Sequence, residues 1–255
     1  MRRCSPFAGW LIAAALLLGG CTHAIHREPV KLSPPVPPEL TVWRLSGEQT
    51  RITLRLAALA HDIAPPGASP ETCVALMLDA MSRRFVYDIR RSTAALAQTA
   101  DELAAGGVFG DCTDYALVMV ALARARGLPA RVLFGVNAHW IEALNKGTDF
   151  IPDAHAFVEV YYDGRWHLVN PSWFRAENDD TPHDQLLPNG YLLTEMGHDF
   201  WAMGMRNVDD MKRLVYAKAA NPGDGWTRAL TFDPFPGTLC CLVDGKPPVY
   251  PAHPP

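Results

Sequence analysis

The chain has 255 residues, of which 49% are hydrophobic and 20% are charged, a balance typical of a globular protein. Its formal net charge is −4 at pH 7, and no dense run of lysine or arginine occurs along it. We therefore expect no nucleic-acid partner, because binding to phosphates needs clustered positive charge.

The N-terminus has the pattern of an export signal. Arg2 and Arg3 supply positive charge, and a short apolar run follows from residue 7 to residue 18. This run is too short to span a bilayer as a helix of the mature protein. Its removal would delete two arginines and no acidic residue, so the mature chain would be more negative than the full one.

The end of this signal predicts a lipid anchor. Leu18-Gly19-Gly20-Cys21 resembles a bacterial lipobox, in which cleavage leaves Cys21 as the lipidated first residue. The alternative is an ordinary signal peptide with a chance cysteine. Thr22 follows the cysteine, and in Gram-negative lipoproteins this implies the outer membrane, facing the periplasm. We therefore expect a membrane contact through the lipid and an envelope location.

Composition divides the chain into four segments. We assign residues 1–20 to the signal peptide, 21–45 to the lipid anchor and a proline-rich linker, 46–220 to the folded domain, and 221–255 to a C-terminal segment rich in proline and glycine. The domain is long enough to bury a full core.

The cysteines allow one disulfide in an oxidising compartment. If Cys21 carries lipid and Cys112 is catalytic, then Cys73, Cys240 and Cys241 remain in the mature chain. Cys73 would pair with Cys240 or with Cys241, or the last two would form a vicinal bridge. Cys73 as a buried apolar residue of a helix is the other interpretation.

Apolar periodicity predicts helices in the first half of the domain. Ser69 and Pro70 open the second of them as N-cap and first helical residue. The predicted helices cover residues 48–62, 70–85, 92–105 and 113–126.

The spacing of apolar residues changes from helical to strand-like after the fourth predicted helix. Residues 131–136 read as a strand, 137–153 as a loop insertion, and 156–162 with 165–170 as the two strands of a hairpin around Asp163-Gly164. A further helix is predicted around 205–219.

Cys112 stands at the start of the most apolar predicted helix. Free N–H groups and the partial positive charge at a helix start favour the thiolate, which is the nucleophilic form. The Cys112 backbone N–H is also the first candidate for an oxyanion donor. Asp111 and Asp114 are predicted to help cap this helix.

The hairpin brings a histidine and a carboxamide together. If Asp163-Gly164 is a two-residue turn, Tyr162 faces Arg165, and His155 and Asn170 become diagonal neighbours on one face. His155 would then take the thiol proton of Cys112 and later protonate the leaving amine, while the Asn170 oxygen would orient the imidazole. A one-residue shift of register would separate the two side chains.

Three separated blocks resemble the transglutaminase-like core. They are Gly110-Asp111-Cys112 with the apolar helix ending at residues 124–131, the stretch 153–160 around His155, and the stretch 163–172 around Asn170. The resemblance covers about residues 70–175. It implies an α+β, papain-like fold in which the nucleophile-bearing helix packs on an antiparallel sheet. The third residue is usually aspartate in this family and is Asn170 here.

The expected activity follows from these residues and this resemblance. Cys112, His155 and Asn170 would form a catalytic triad that hydrolyses peptide or amide bonds of an envelope peptide or protein through a thioester. A transamidating transglutaminase and an inactive peptide- or cell-wall-binding lipoprotein are the alternatives.

Other chemistry lacks support in the sequence. No CxxC, HExxH or GxSxG motif occurs, so we expect no metal, no cofactor and no serine nucleophile. His139 is expected on a loop surface, with a place in the substrate cleft as the alternative. Trp173 lies close to Asn170 in sequence and is a candidate wall of the site.

Overall fold

The computed structural model describes residues 35–145, 153–177 and 186–221. The predicted lipid-bearing Cys21 and the candidate disulfide partners Cys240 and Cys241 lie outside these residues, as do the signal segment and most of the C-terminal segment. The lipid anchor, the segment boundaries and the disulfide therefore stay predictions. No helix among the described residues has the length and apolar character needed to cross a bilayer.

The described residues contain six α-helices and four short 3₁₀-helices. The α-helices are α1 Leu54–Ile63, α2 Pro70–Arg84, α3 Ala100–Gly106, α4 Cys112–Ala125, α5 Ala138–Asn145 and α6 Val208–Ala220. The 3₁₀-helices are Pro38–Arg44, Ile89–Ala94, Pro171–Trp173 and Pro188–Gly190.

In the described ranges, eight strands form two sheets. The strands are β1 Val86–Tyr87, β2 Val108–Phe109, β3 Ala130–Asn137, β4 Ala154–Tyr162, β5 Arg165–Asn170, β6 Arg175–Ala176, β7 Leu186–Leu187 and β8 Tyr191–Gly197. The first two pair in parallel, and the other six form one sheet in the order β6-β5-β4-β3-β8-β7.

The large sheet is antiparallel throughout, and α4 packs against its central strands β3 and β4. Every residue of α4 from Cys112 to Arg124 is buried. This arrangement confirms the predicted α+β fold with the nucleophile-bearing helix on an antiparallel sheet. It also explains the unusual apolar character of that helix, which is enclosed by α1, α2, α3 and the sheet.

The two faces of the large sheet bury different clusters. Alternate residues of β4, among them Ala156, Val158 and Val160, join the main core under α4. The intervening residue Phe157 packs on the opposite face with Leu133, Leu168, Leu187 and Tyr191. This alternation is the expected period of two for a strand buried on both faces.

The hairpin has the predicted register. Tyr162 pairs with Arg165, and Val160 pairs with His167. Asp163 and Gly164 both have positive φ, 50° and 84°, which is the type I′ conformation that suits a two-residue hairpin. The turn therefore leaves no register shift between the two strands.

The first predicted helix begins too early. Residues 48–53 are not helical, and α1 starts at Leu54 with Thr53 as its N-cap. The backbone N–H groups of Gln49 and Thr50 instead donate to the buried carboxylate of Asp199, 150 and 149 residues away in sequence. A long-range polar contact therefore decides where this helix starts.

The predicted helix over 92–105 is two elements. A 3₁₀-helix ends at Ala94, and α3 begins only at Ala100. Thr99 and Glu102 form a capping box at that point: each side chain bonds the other residue's backbone N–H. The predicted end at Gly106-Gly107 is confirmed, since Gly107 takes the left-handed C-cap conformation at φ 67°.

Several elements of the second half were not predicted, among them α5 and β8. The insertion at 137–153 contains α5, which places His139 exposed in its first turn. The strand β8 lies beside β3 near the centre of the sheet, although its sequence reads as an irregular stretch. Its first residue, Tyr191, becomes important for the site.

Candidate active site

Cys112 is the first residue of α4 and is 8% exposed. Asp111 precedes it as the N-cap, and its carboxylate accepts the backbone N–H of Thr113 at 2.8 Å and the Thr113 hydroxyl at 2.5 Å. This cap fixes the first turn of the helix and with it the position of the Cys112 backbone.

A close approach of two loops also holds this helix start. Gly110 packs so tightly on the 3₁₀-helix Ile89–Ala94 that an added Cβ would stand 2.6 Å from the Arg91 carbonyl carbon and from the Ser92 nitrogen. The Gly110 N–H donates to Asp114 Oδ2 at 2.7 Å. Glycine is therefore required at position 110 because a side chain would not fit there, and not because of its backbone angles.

The carboxyl groups on either side of the cysteine both resist ionisation. Burial, reinforced by the charge of Asp111, raises the pKa of Asp114 to about 7. Burial also raises the pKa of Asp111, against the opposing effects of its Thr113 hydrogen bonds and the charge of His155. A protonated Asp114 does not repel a neighbouring thiolate, so this acidic pair opposes a Cys112 thiolate least below neutral pH.

His155 is the second residue of β4, one of the two central strands on which α4 packs. The helix that begins at Cys112 and the strand that bears the predicted base are therefore in contact.

His155 and Asn170 are hydrogen bonded. The His155 Nε2 lies 3.0 Å from Asn170 Oδ1, across β4 and β5. Because a carboxamide oxygen only accepts, Nε2 must carry the proton, and Nδ1 is the nitrogen that can take a proton from a thiol. The fold thus joins two of the three predicted site residues in the tautomer that the chemistry needs.

Asn170 is fully buried and only partly satisfied. Its Oδ1 also accepts the hydroxyl of Ser172 at 3.3 Å, whereas its Nδ2 has no hydrogen-bond partner among the described residues. A buried donor without a partner costs about 1–3 kcal/mol. The amide oxygen, rather than the amide nitrogen, is therefore the useful atom at this position.

An aromatic enclosure surrounds His155, which is fully buried. The ring centroids of Phe157, Tyr191 and Trp173 lie 4.7, 5.3 and 5.6 Å from its own. The candidate wall residue Trp173 thus does contact the histidine. Water is displaced from one side of the ring, which strengthens the hydrogen bond to Asn170.

Tyr191 was missed by the sequence analysis. Its hydroxyl donates to Asp153 Oδ1 at 3.1 Å, two residues before His155. Gly135, directly opposite His155 on β3, makes room for it, since a Cβ there would lie 3.2 Å from Tyr191 Cβ. The only local signal was the turn-forming pair Asn189-Gly190, which precedes the strand.

Cys73 is buried on α2, and its thiol donates weakly to the Ala68 carbonyl at 3.8 Å. His139 is exposed on α5, as expected for a surface position.

A buried cysteine starts a helix that packs on an antiparallel sheet, and this sheet carries a hydrogen-bonded histidine and carboxamide. This arrangement is that of the papain-like α+β folds. Residues 57–171 match the family model of the transglutaminase-like superfamily. The chain therefore contains a transglutaminase-like domain.

The chain is similar to one curated enzyme over part of its length. It is 30% identical over 125 residues to a protein-glutamine gamma-glutamyltransferase of Pseudomonas aeruginosa. The match covers 47% of this chain and 18% of that enzyme. The relative is thus much longer than the shared segment.

Two solved structures give partial overlaps. One is a protein of Cytophaga hutchinsonii provisionally described as a cysteine protease, at 22% identity and a TM-score of 0.49, covering 66% of this chain and 50% of that one. The other is the periplasmic domain of TgpA from Pseudomonas aeruginosa, bound to ethylmercury, at 25% identity and a TM-score of 0.38. It covers 55% of this chain and 50% of that domain.

Proposed function

We propose that this chain is a thiol-dependent acyl-transfer enzyme that hydrolyses peptide or amide bonds. The observation that carries this proposal is the hydrogen bond from His155 Nε2 to Asn170 Oδ1, next to the helix start that bears Cys112.

The first half-reaction forms a thioester. The Cys112 proton passes to His155 Nδ1, and the sulfur attacks the substrate carbonyl carbon. The resulting oxyanion accepts a hydrogen bond from the Cys112 backbone N–H at the start of α4. When the carbon–nitrogen bond breaks, the imidazolium returns its proton to the leaving amine.

The second half-reaction releases the acyl group. A water molecule attacks the thioester carbon and gives a proton to His155, the carbon–sulfur bond breaks, and the sulfur regains a proton. Asn170 holds the ring in place through both halves. Because a carboxamide lacks the charge of aspartate, it stabilises the imidazolium less.

Transamidation is the second candidate. The likeness to a protein-glutamine gamma-glutamyltransferase favours it, since that reaction replaces water by an amine at the same thioester. Whether hydrolysis or transamidation occurs depends on how well the cleft excludes water from the thioester. Turnover of peptide substrates with and without an added primary amine, followed by mass spectrometry, separates hydrolysis from transfer.

We also propose an envelope location through a lipid on Cys21, supported by the lipobox-like sequence. Replacement of Cys21 by serine is expected to abolish incorporation of labelled palmitate and to release the protein from membranes. Unchanged membrane partition of the Cys21→Ser variant contradicts the anchor.

Alkylation of Cys112 tests the enzymatic proposal. An iodoacetamide probe, applied between pH 5 and 9 with site assignment by mass spectrometry, is expected to modify Cys112 selectively well below pH 8, where an ordinary thiol of pKa about 8.5 is slow. Cys73, also buried, is the internal control. Uniform slow labelling of all cysteines, together with a Cys112→Ala variant that behaves like the wild type in every activity assay, supports an inactive binding protein instead.

A further inference from the structure

The 3₁₀-helix Ile89–Ala94 borders the start of α4, where Cys112 lies. β1, which leads into this short helix, pairs in parallel with β2, which leads into Gly110. The Arg91 backbone lies so close to Gly110 that a Cβ on this glycine would stand 2.6 Å from the Arg91 carbonyl carbon. Since Gly110 is two residues before Cys112, Arg91 is next to the candidate active site.

The charge of Arg91 acts on the first turn of α4. Burial first, and then the charge of Asp111, raise the pKa of Asp114, whereas the positive charge of Arg91 opposes this rise. The Asp114 carboxylate also accepts the Gly110 N–H at 2.7 Å. The Arg91 guanidinium is therefore within electrostatic reach of the turn that begins with Cys112.

Among the described residues, no carboxylate lies within ion-pair distance of the Arg91 guanidinium. Its Nη2 donates to the neutral Gln98 Oε1 at 3.0 Å. The adjacent Arg90 differs, since it donates to both carboxylate oxygens of Asp88 at 2.8 and 2.7 Å. Because Arg91 is exposed, its guanidinium is accessible to an anion that approaches Cys112 from solvent.

Buried contacts hold the loop that presents Arg91. The Gln98 carbonyl accepts a hydrogen bond from Gln49 Nε2 at 2.9 Å. The Leu96 carbonyl accepts from the same nitrogen at 3.0 Å and from Trp201 Nε1 at 2.7 Å. Leu96 is buried with a left-handed φ of 68°, which a leucine keeps only where its surroundings impose it. The Gln98 partner of Arg91 therefore stands on a fixed backbone.

We propose that Arg91 binds a carboxylate of the substrate beside the bond that Cys112 attacks, so that the preferred substrate carries an acidic side chain or a free α-carboxylate at that point. A guanidinium suits this task because its planar N–H groups hold both oxygens of a carboxylate. The inference rests on the proposed function, because it assigns a specificity-determining residue to that reaction. Arg91 takes no part in the proton transfers.

Paired alkylating reagents test this assignment in the full-length chain. Iodoacetate and iodoacetamide are similar in size, and only iodoacetate carries a carboxylate. In both reactions the Cys112 sulfur displaces iodide, and mass spectrometry gives the two rate constants at this site. Arg91→Gln should lower the ratio of the iodoacetate rate to the iodoacetamide rate about fivefold, the effect of one charge a few ångströms away in water.

A distant arginine provides the matched control. Arg44 is exposed, and the carbonyl of the neighbouring Trp43 accepts Arg124 Nε at 3.0 Å. Arg124 lies near the other end of α4, about 18 Å along the helix from Cys112 at 1.5 Å per residue. Arg44→Gln should leave the ratio unchanged, because this distance exceeds the screening length at physiological salt.

The conservative variant Arg91→Lys keeps the positive charge and should restore most of the ratio that Arg91→Gln loses. The other charged groups of the site stay in place in each variant, so their effects cancel when the variants are compared. A ratio that Arg91→Gln leaves unchanged, or that Arg44→Gln lowers equally, overturns the assignment.

Three larger reagents identify the source of the carboxylate. Iodoacetyl-glutamate amide carries it on a side chain, iodoacetyl-glutamine carries it at the chain end, and iodoacetyl-glutamine amide carries none. The reagent whose rate at Cys112, relative to the neutral one, falls in Arg91→Gln identifies the group that Arg91 binds. A loss with neither acidic reagent overturns the assignment of a substrate carboxylate.

The two proposals fail in different ways. A reactive Cys112 whose preference for iodoacetate does not depend on Arg91 contradicts the specificity assignment and leaves the enzyme. A Cys112 that reacts with neither iodoacetate nor iodoacetamide contradicts the enzyme, and the assignment of Arg91 fails with it.

Discussion

Tyr191 and His155 lie face to face at a tilt, with ring centroids 5.3 Å apart and an angle of 34° between the ring planes. They come from β8 and β4, which are not neighbours in the sheet but flank β3. Gly135 on β3 lets the tyrosine approach. The position of the histidine thus depends on a strand that follows it by more than 30 residues.

Two substitutions of Tyr191 separate its ring from its hydroxyl. Tyr191→Ala removes a fully buried ring and should lower the free energy of unfolding by about 3–5 kcal/mol. Tyr191→Phe keeps the ring and loses one partly buried hydrogen bond to Asp153, for about 1 kcal/mol. Urea unfolding measures both. Equal losses in the two variants contradict a packing role for the ring.

Asn170→Asp should raise the pKa of the His155 imidazolium by about one unit or more, because a carboxylate stabilises the adjacent cation. The substitution keeps the Oδ1 acceptor and removes an Nδ2 that has no partner among the described residues. The measurement is an NMR titration of the His155 ring in the Cys112→Ala background.

Ser172→Ala is the control for that titration, since it removes the second hydrogen bond to Asn170 Oδ1 without adding charge. It should leave the His155 titration nearly unchanged. An unshifted or lowered imidazolium pKa in Asn170→Asp refutes the contact as an orienting bond to the base.

Asp114→Asn should stabilise the protein at alkaline pH. Burial raises the pKa of Asp114 from 3.8 to about 7, so the folded state favours its protonated form. The group contributes most to stability below its unfolded pKa, and this contribution is lost as pH rises towards 7. The Asp114→Asn variant cannot ionise, so it does not lose stability in this way as pH rises. Its amide oxygen can still accept the Gly110 N–H.

Urea unfolding of Asp114→Asn and the wild type at pH 4, 6 and 8 tests the sign. The advantage of the variant should grow by roughly 4 kcal/mol from pH 4 to pH 8. Arg91 and Asp111 also act on this carboxyl group, so the change is gradual. A constant difference across this range shows that Asp114 titrates normally.

Gly110→Ala should destabilise the protein by about 1–3 kcal/mol, because its Cβ would overlap the backbone of Arg91 and Ser92. The same shift would displace the helix start, so alkylation of Cys112 should slow as well. Gly106→Ala is the matched control, since a Cβ there meets nothing within 4 Å. A loss of similar size in both variants excludes the steric explanation.

Local signals predicted several elements well. Ser69 caps α2 as expected, and the Arg-Gly-Leu-Pro sequence ends α4 with Gly127 at φ 77°. The Asp163-Gly164 turn fixed the register that brings His155 to Asn170. In each case the residues that specify the feature are within about fifteen positions of one another.

Distant contacts explain the errors. The segment before α1 is held by Asp199, and Arg124 of α4 reaches Thr50 at 2.8 Å and the His198 carbonyl at 3.0 Å. Burial lowers the pKa of this arginine to about 10, yet the hydrogen bonds retain it in the core. No local sequence pattern indicates contacts with partners that are 74 or 150 residues away.

The sequence by itself determined the start and end of the helix that begins at Cys112, the hairpin register and the family resemblance, because caps, turns and period-two alternation act between near neighbours. Only the tertiary structure decided that β8 enters the sheet beside β3, that Tyr191 packs on His155, and that the segment bearing Arg91 packs on the start of α4. Those features depend on which surfaces meet when the chain folds, and the free energy of burial does not depend on distance along the chain.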